Sequence, residues 1–285
     1  MASLKEIKGR IASVRNTQKI TSAMRMVSSA KLHRTQNVAQ NFMRYADELH
    51  AVLNDLNVQP PVEEKTVKVV ALIPISSSSG LCGAFNSNLI KATLKRIDEY
   101  AAQGIKVCLF PIGKKIAAEL KKNADLQQNT DYATMNERVE KGDAFSQVQH
   151  LMTYLTQQYH AGEIHQVEMI YHHFKSMGQQ LIQNKRLAMA PPIAGDVPME
   201  RRKYLTEPSP QELANSLHPN VLNAEFYAAL LDSLTSEHAA RMLAMQTADD
   251  NANELLHELT LLYNKTRQQA ITNELIDIMG GKIVN

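Results

Sequence analysis

Residues 2–56 contain no proline and a single glycine, Gly9, and residues 220–279 contain neither. Proline breaks a helix interior by removing a donor and clashing with the preceding turn, and glycine weakens one. At about 1.5 Å per residue the two stretches allow helices of roughly 80 and 90 Å. Helices of that length exceed what one globular core covers and predict a coiled coil. "QPPVEEK" (59–65) closes the first stretch, and "EPSPQEL" (207–213) leads into the second. Nine Tyr, six Phe, no Trp and thirteen Met suit helical cores better than a β-sandwich.

Between the two stretches the pattern changes. "TVKVVALIPI" (66–75) is a β-branched strand, "SSSSGLCGAFNS" (76–87) a loop, and "NLIKATLKRIDEYAAQ" (88–103) has helical periodicity stopped by Gly104. "IKVCLFPI" (105–112) reads as a second buried strand, followed by helical "KKIAAELKK". A helix at about 143–161 precedes strands at 165–174 and 179–191. Strands alternating with helices predict a mostly parallel, doubly wound, Rossmann-like α/β domain. The expected organisation is an antiparallel coiled-coil shaft of residues 1–57 and 209–285 flanking an α/β domain of residues 66–195.

The two ends are also matched in charge. Ile7 to Ala46 carry eight basic residues and no acidic one, with Lys8, Arg10 and Lys19 among the basic residues of the shaft. Residues 225–258 carry seven acidic residues against one base, Arg241. Exposed ion pairs contribute about 0–1 kcal/mol each, so these charges select partner and orientation while an apolar seam supplies the stability. The seam shifts along the helix. Leu4, Ile7, Ile11 and Val14 keep a heptad rhythm that continues onto Gln18, Thr21, Arg25 and Ser28, while the apolar stripe reappears at Ile20, Met24 and Val27. On the second helix Leu255, Leu259 and Leu262 form one stripe, and Ile271, Leu275 and Ile278 another about half a turn away. A helix pair that touched only itself would have no use for such jumps. The pattern predicts a pair enclosed by other protein.

Other chemistries fit poorly. Net charge is +2, with 44% hydrophobic and 21% charged residues, so nothing global demands an anionic partner. The Gly-containing loop follows a strand and precedes a helix, where such folds take phosphates, but it lacks GxGxxG and GK[ST]. A tight packing turn is the better reading. His172 and His173 are neighbours on a strand and point to opposite faces, which is poor for one metal. "HELTL" (257–261) lacks a second zinc histidine, and Cys82 and Cys108 form no CxxC or zinc spacing. No cofactor and no metal are expected. Cys82 reads as a small packing residue, and two unspaced cysteines fit a reducing compartment. With no signal peptide, no leader and no apolar run of membrane length, the chain fits a bacterial cytoplasmic protein. The rival reading is nucleic-acid binding by the basic first helix. It lacks any aromatic residue before Phe42 to stack on bases, and the acidic second helix offers neutralisation instead.

The motifs resemble one family along the whole chain. "IKGRIASVRNTQKITSAMRMVSSAKL" (7–32), "GLCGAFN" (80–86) and "SEHAARMLAMQTADDNANELLHELTLLYNKTRQQAITNELIDIMGG" (236–281) are similar to the gamma subunit of F-type ATP synthases. Ser78 and Ser79 stand where that family usually carries a charged pair before GLCG. The resemblance implies a non-catalytic rotor. Its coiled coil would run through a hexamer of alternating alpha and beta subunits, and its α/β domain would bind epsilon and the c-ring. Proton flow would thereby be coupled to ATP synthesis, with the chain peripheral to the cytoplasmic face of the bacterial cell membrane. It further implies that Arg267 and Gln268 of the "NKxRQ" motif, with Thr272 one turn on and Met24 on the first helix, contact beta. Coupling ion, epsilon-dependent inhibition, helix register and step size are not readable from these residues.

Overall fold

A computed structural model describes residues 3–56, 67–122, 126–139, 141–193, 206–207 and 209–281. The expected boundaries at 57, 66 and 195, the "QPPVEEK" stretch and residues 282–285 lie outside the described residues.

The first helix, α1 (Leu4–Asp55), opens on a reciprocal cap: Ser3 N–H donates to Glu6 Oε2 at 2.9 Å, and Glu6 N–H donates to Ser3 Oγ at 3.3 Å. Serine and glutamate three apart satisfy two donors that a first helical turn leaves without partners. The last helix, α6 (Pro210–Gly281), starts similarly. Pro210 takes the first position, where its missing N–H is not needed, and Ser209 Oγ accepts from Glu212 N–H at 3.2 Å. Helix α6 also passes through Pro219 and so begins before the proline-free stretch that announced it.

Between them lie β1 (Val69–Pro74), α2 (Phe85–Ala102), β2 (Lys106–Leu109), α3 (Lys114–Leu120), α4 (Met135–Arg138), α5 (Ala144–His160), β3 (Gln166–Ser176) and β4 (Gln179–Leu187). The four strands are ordered β2-β1-β3-β4, with β1 parallel to β2 and β3, and β4 antiparallel to β3. The sheet is therefore mixed, because the tight turn between β3 and β4 returns the chain as a hairpin. The short α4 was not apparent from periodicity, since four residues make barely one turn.

The chain divides into two compact units: Ala30–Ala240, and Met1–Ser29 with Arg241–Asn285. In the larger unit, alternate residues of the strands face opposite layers. Ala71, Ile73, Val167 and Met169 pack with Val148, Leu151 and Leu155 of α5 and with Phe226 and Leu230 of α6. Leu72, Leu109 and Ile170 pack on the other face with Leu89 and Ile97 of α2 and Ile116 and Leu120 of α3. Helices on both faces make this a doubly wound layer architecture. Residues 229–239 of α6 are buried all round, which explains why no polar face is legible there. Within the same unit α1 and α6 run antiparallel: the Phe42 ring meets Tyr227 edge-on at 4.7 Å, and His50 lies 3.4 Å from Glu225.

The smaller unit is a two-helix coiled coil. Gln18 Nε2 donates to Asn253 Oδ1 at 2.5 Å, and Arg25 lies 3.9 Å from Asp249, an antiparallel order. On α1 the inward positions are Leu4, Ile7, Ile11, Val14, Gln18, Thr21, Arg25 and Ser28, the unbroken heptad. On α6 they are Met242, Met245, Asp249, Ala252, Leu256, Leu259, Tyr263, Thr266 and Ala270, alternating by three and four. Of the predicted leucine stripe only Leu259 is buried. Leu255 and Leu262 are 43% and 46% exposed, because the seam passes one residue to the side of each.

Candidate functional site

Two features invite a functional reading: the outer surface of the coiled coil and the loop after β1. The coiled coil keeps its seam in register by accepting small and polar residues. Thr21 and Ser28 are buried, with the Thr21 hydroxyl donating to the Gln18 carbonyl at 2.9 Å. Side chains this small let the helices stay close without a large apolar contact. The displaced apolar residues face outward: Ile20 is 61% exposed, Met26 62% and Val27 56%. The same holds on α6 for Ile271, Leu275, Ile276, Ile278 and Met279. Contiguous exposed apolar residues of this kind mark interaction surfaces. Basic residues are interleaved with them: Lys8, Arg10 and Lys19 are all exposed, and among the described residues none forms an ion pair with α6. The charge bias thus serves mainly the outer surface, and among the described residues Arg25–Asp249 is the pair that crosses this seam.

Arg267 and Gln268 are exposed on neighbouring positions of α6, and the Thr272 hydroxyl donates to the Gln268 carbonyl at 2.9 Å. These three share one stretch of helix. Met24 is half-buried beside the seam on α1 and does not join them. The polar contacts place residues 18–25 against 249–253, whereas Arg267 lies fourteen residues beyond Asn253, about 21 Å along α6. They form two separate contact areas.

The loop after β1 is occupied by its own polar groups. Ser77 N–H donates to Asn86 Oδ1 at 3.1 Å, Asn86 Nδ2 donates to Cys82 Sγ at 3.1 Å, and Ser78 Oγ donates to Asn136 Oδ1 at 2.9 Å. Asn136 in turn donates to the Ser76 carbonyl, and Ser76 Oγ accepts from Ile116 N–H, both at 3.1 Å. Leu81 and Gly83 take left-handed backbone, φ 63 and 58, which makes the turn tight. Cys82 is buried, while burial pushes the half-buried Cys108 thiol up. Nearby, Lys114 holds the Glu137 carboxyl below its usual range across 2.7 Å. This bonding uses the groups a phosphate would need. His172 stacks on Phe85 at 4.1 Å, while His173 Nδ1 lies 2.7 Å from Asp232 Oδ2, so the two histidines serve different surroundings. Among the described residues no group of three or more His, Cys, Asp or Glu is placed to hold a metal, and no helix is long and apolar enough to cross a membrane.

Comparison with known proteins decides the family. The sequence model of the family described as "ATP synthase" matches residues 3–282. An ATP synthase gamma chain of Parabacteroides distasonis is 48% identical over all of both chains. One from Bacteroides thetaiotaomicron is 42% identical over 99% of this chain and all of that one. The chain belongs to the ATP synthase gamma chain family. As a gamma chain of the bacterial F-type enzyme it is a non-catalytic subunit, the rotor of the central stalk, and it belongs to the F1 part of a membrane complex. Its fold is similar to chains in solved structures of two mitochondrial ATP synthases. One, from Euglena gracilis (OSCP/F1/c-ring), has a TM-score of 0.65 at 18% identity, covering 98% of this chain and 93% of that one. The other, from the central stalk and c-ring of Tetrahymena thermophila, has 0.57 at 24%, covering 80% and 99%. The reading as a nucleic-acid-binding coiled coil is not supported. What sequence reasoning missed was the polar seam. The heptad rhythm through Gln18, Thr21, Arg25 and Ser28 was its signal, hidden because apolar residues usually mark a seam.

Proposed function

We propose that the paired segments around residues 4–29 and 241–281 of this gamma chain turn inside an alternating alpha/beta hexamer. The observation that carries this is the outward apolar and basic surface of a helix pair whose own seam is already closed. Such a surface is costly in water and useful against surrounding subunits, where many small contacts guide rotation without locking it. In functional terms the division is a shaft of residues 1–57 and 209–285 and an α/β domain of residues 66–195. The α/β domain would bind epsilon and the c-ring, so that proton flow turns the shaft and drives ATP synthesis on beta. The complex would hold the chain peripherally at the cytoplasmic face of the bacterial cell membrane. Arg267, Gln268 and Thr272 would grip beta at one level of the shaft and Met24 at another. An arginine fork suits the first contact because it binds carboxylates and carbonyls directionally.

The test is extraction of the native membrane complex through a tag on this chain. Alpha, beta, epsilon and c subunits are expected in fixed ratio with it. Recovery of the chain alone, or with nucleic acid in a salt-dependent way, contradicts the proposal.

A further inference from the structure

The larger unit holds a cavity of about 320 Å³ that the rotor role does not use. It lies beside β2, the strand at one end of the sheet. One wall is residues 127–129, held along β2 as a short parallel extension of the sheet. Leu109 N–H donates to the Gln127 carbonyl at 2.9 Å, and Asn129 N–H donates to the Leu109 carbonyl at 2.8 Å. Another wall is the end of α5, where the Gln158 carbonyl accepts from Glu163 and Ile164 N–H at 3.0 and 3.3 Å. Phe110 and Tyr154 form an aromatic side, their centroids 6.1 Å apart and their planes tilted by 57°. Phe110 is buried, whereas Tyr154 is 37% exposed and keeps part of its ring open.

Four carboxamides line this space: those of Gln127, Gln128, Asn129 and Gln158. Two are partly engaged, since Gln127 Oε1 accepts from the Cys108 thiol at 3.9 Å and Asn129 Oδ1 accepts from Asp131 N–H at 2.9 Å. Gln128 Oε1 is buried and has no hydrogen-bond partner among the described residues. Burying an acceptor in that state is costly, and a donor that reaches it removes the cost. The described lining carries one base, Lys106, and one acid, Glu163, both exposed, so the amides rather than net charge set what fits.

We propose that this cavity binds an adenine ring, as the free base or its nucleoside, with the Gln128 carboxamide paired to its N6 and N7 and the Tyr154 ring against its face. A carboxamide sets an acceptor and a donor side by side in one plane, and adenine answers with its N6 amino donor and N7 acceptor. Gln128 Oε1 thereby gains the donor it lacks. Gln158 and the amide hydrogens of Asn129 remain for the other ring nitrogens. Aromatic side chains stack on bases through their faces, which the open part of Tyr154 allows. The volume is at the small end for organic ligands and admits a nucleoside.

The probe is adenosine, and the natural reporter is Cys108, which lines the cavity and can be alkylated by N-ethylmaleimide in the full-length chain while Cys82 stays buried. Adenosine should slow alkylation of Cys108 saturably and at least fivefold. Inosine offers two acceptors, O6 and N7, on the edge where adenine offers a donor and an acceptor. It should need at least tenfold higher concentration for the same protection, and ribose should give none. Gln128→Leu should weaken adenosine fivefold or more, while Lys95→Gln, on the exposed surface of α2, should leave it within twofold. Circular dichroism, with the alkylation rate in the absence of nucleoside, checks the fold of each variant. Should Gln128→Leu not fold, the comparison of adenosine with inosine on the unaltered chain decides alone. Absence of saturable protection by adenosine overturns the proposal. So does equal protection by inosine or ribose, or unchanged affinity in a folded Gln128→Leu.

Discussion

Gly113 precedes α3 with φ +96, and a Cβ built there would stand 2.3 Å from the Ser76 carbonyl oxygen. Gly113→Ala combines a left-handed backbone with a clash against backbone that cannot move aside, and should cost about 3 kcal/mol. A urea titration checks this, and an unchanged midpoint contradicts it. His172 makes a pH prediction. Its ring is buried against Phe85, and burial lowers its pKa from 6.5 to about 4. Between those values the unfolded chain binds a proton that the folded chain does not. This contribution to stability is therefore whole above pH 6.5 and declines as pH falls toward 4, by about 3 kcal/mol in total. In His172→Leu that part of the decline should vanish, which urea midpoints at pH 7 and pH 4.5 would show. Arg267 and Gln268 belong to function rather than stability. Both are exposed, so Arg267→Ala with Gln268→Ala should leave helicity and assembly intact, since alanine favours helix. ATP hydrolysis by the reconstituted complex should fall severalfold. Wild-type turnover in an assembled double mutant makes them ordinary helix surface.

Among the elements, α1 and most of α6 were legible from long stretches nearly free of glycine and proline, β1 from a β-branched run, and β2 to β4 from their place between turn residues. The antiparallel placement of β4 was not, because a strand's composition does not state its direction. The seam was half legible. Leu4 to Val14 announce it, but Thr21 and Ser28 are buried for closeness rather than apolarity, and Ile20 and Val27 are apolar for a surface outside the chain. A single sequence shows where greasy residues are, not which neighbour covers them. The same limit applies to the site: the hydrogen bonds within the loop after β1 were not legible in its serines, and Met24 and Arg267 lie at different levels of the helix pair. The seam itself can be tested. Cysteines replacing Gln18 and Asn253, whose side-chain ends meet at 2.5 Å, should be joined by a short bismaleimide cross-linker. Cysteines at 18 and 267 should not, being about 21 Å apart along the helix. The reverse result would replace the antiparallel register.

For the whole molecule, the two compact units suit two tasks: a helix pair whose outer face is built for contact, and a sheet domain with its own core. As a member of a family of non-catalytic subunits, the isolated chain should not hydrolyse ATP, and a phosphate-release assay checks this. The central claim is that this gamma chain turns. The direct measurement attaches a bead to a cysteine at Gln103, at the exposed end of α2, with Cys108 changed to Ser; Cys82 is buried and will not react. With the complex fixed to glass through beta, ATP should drive the bead in one sense of rotation. A stationary bead on complexes that hydrolyse ATP at the normal rate would contradict the account.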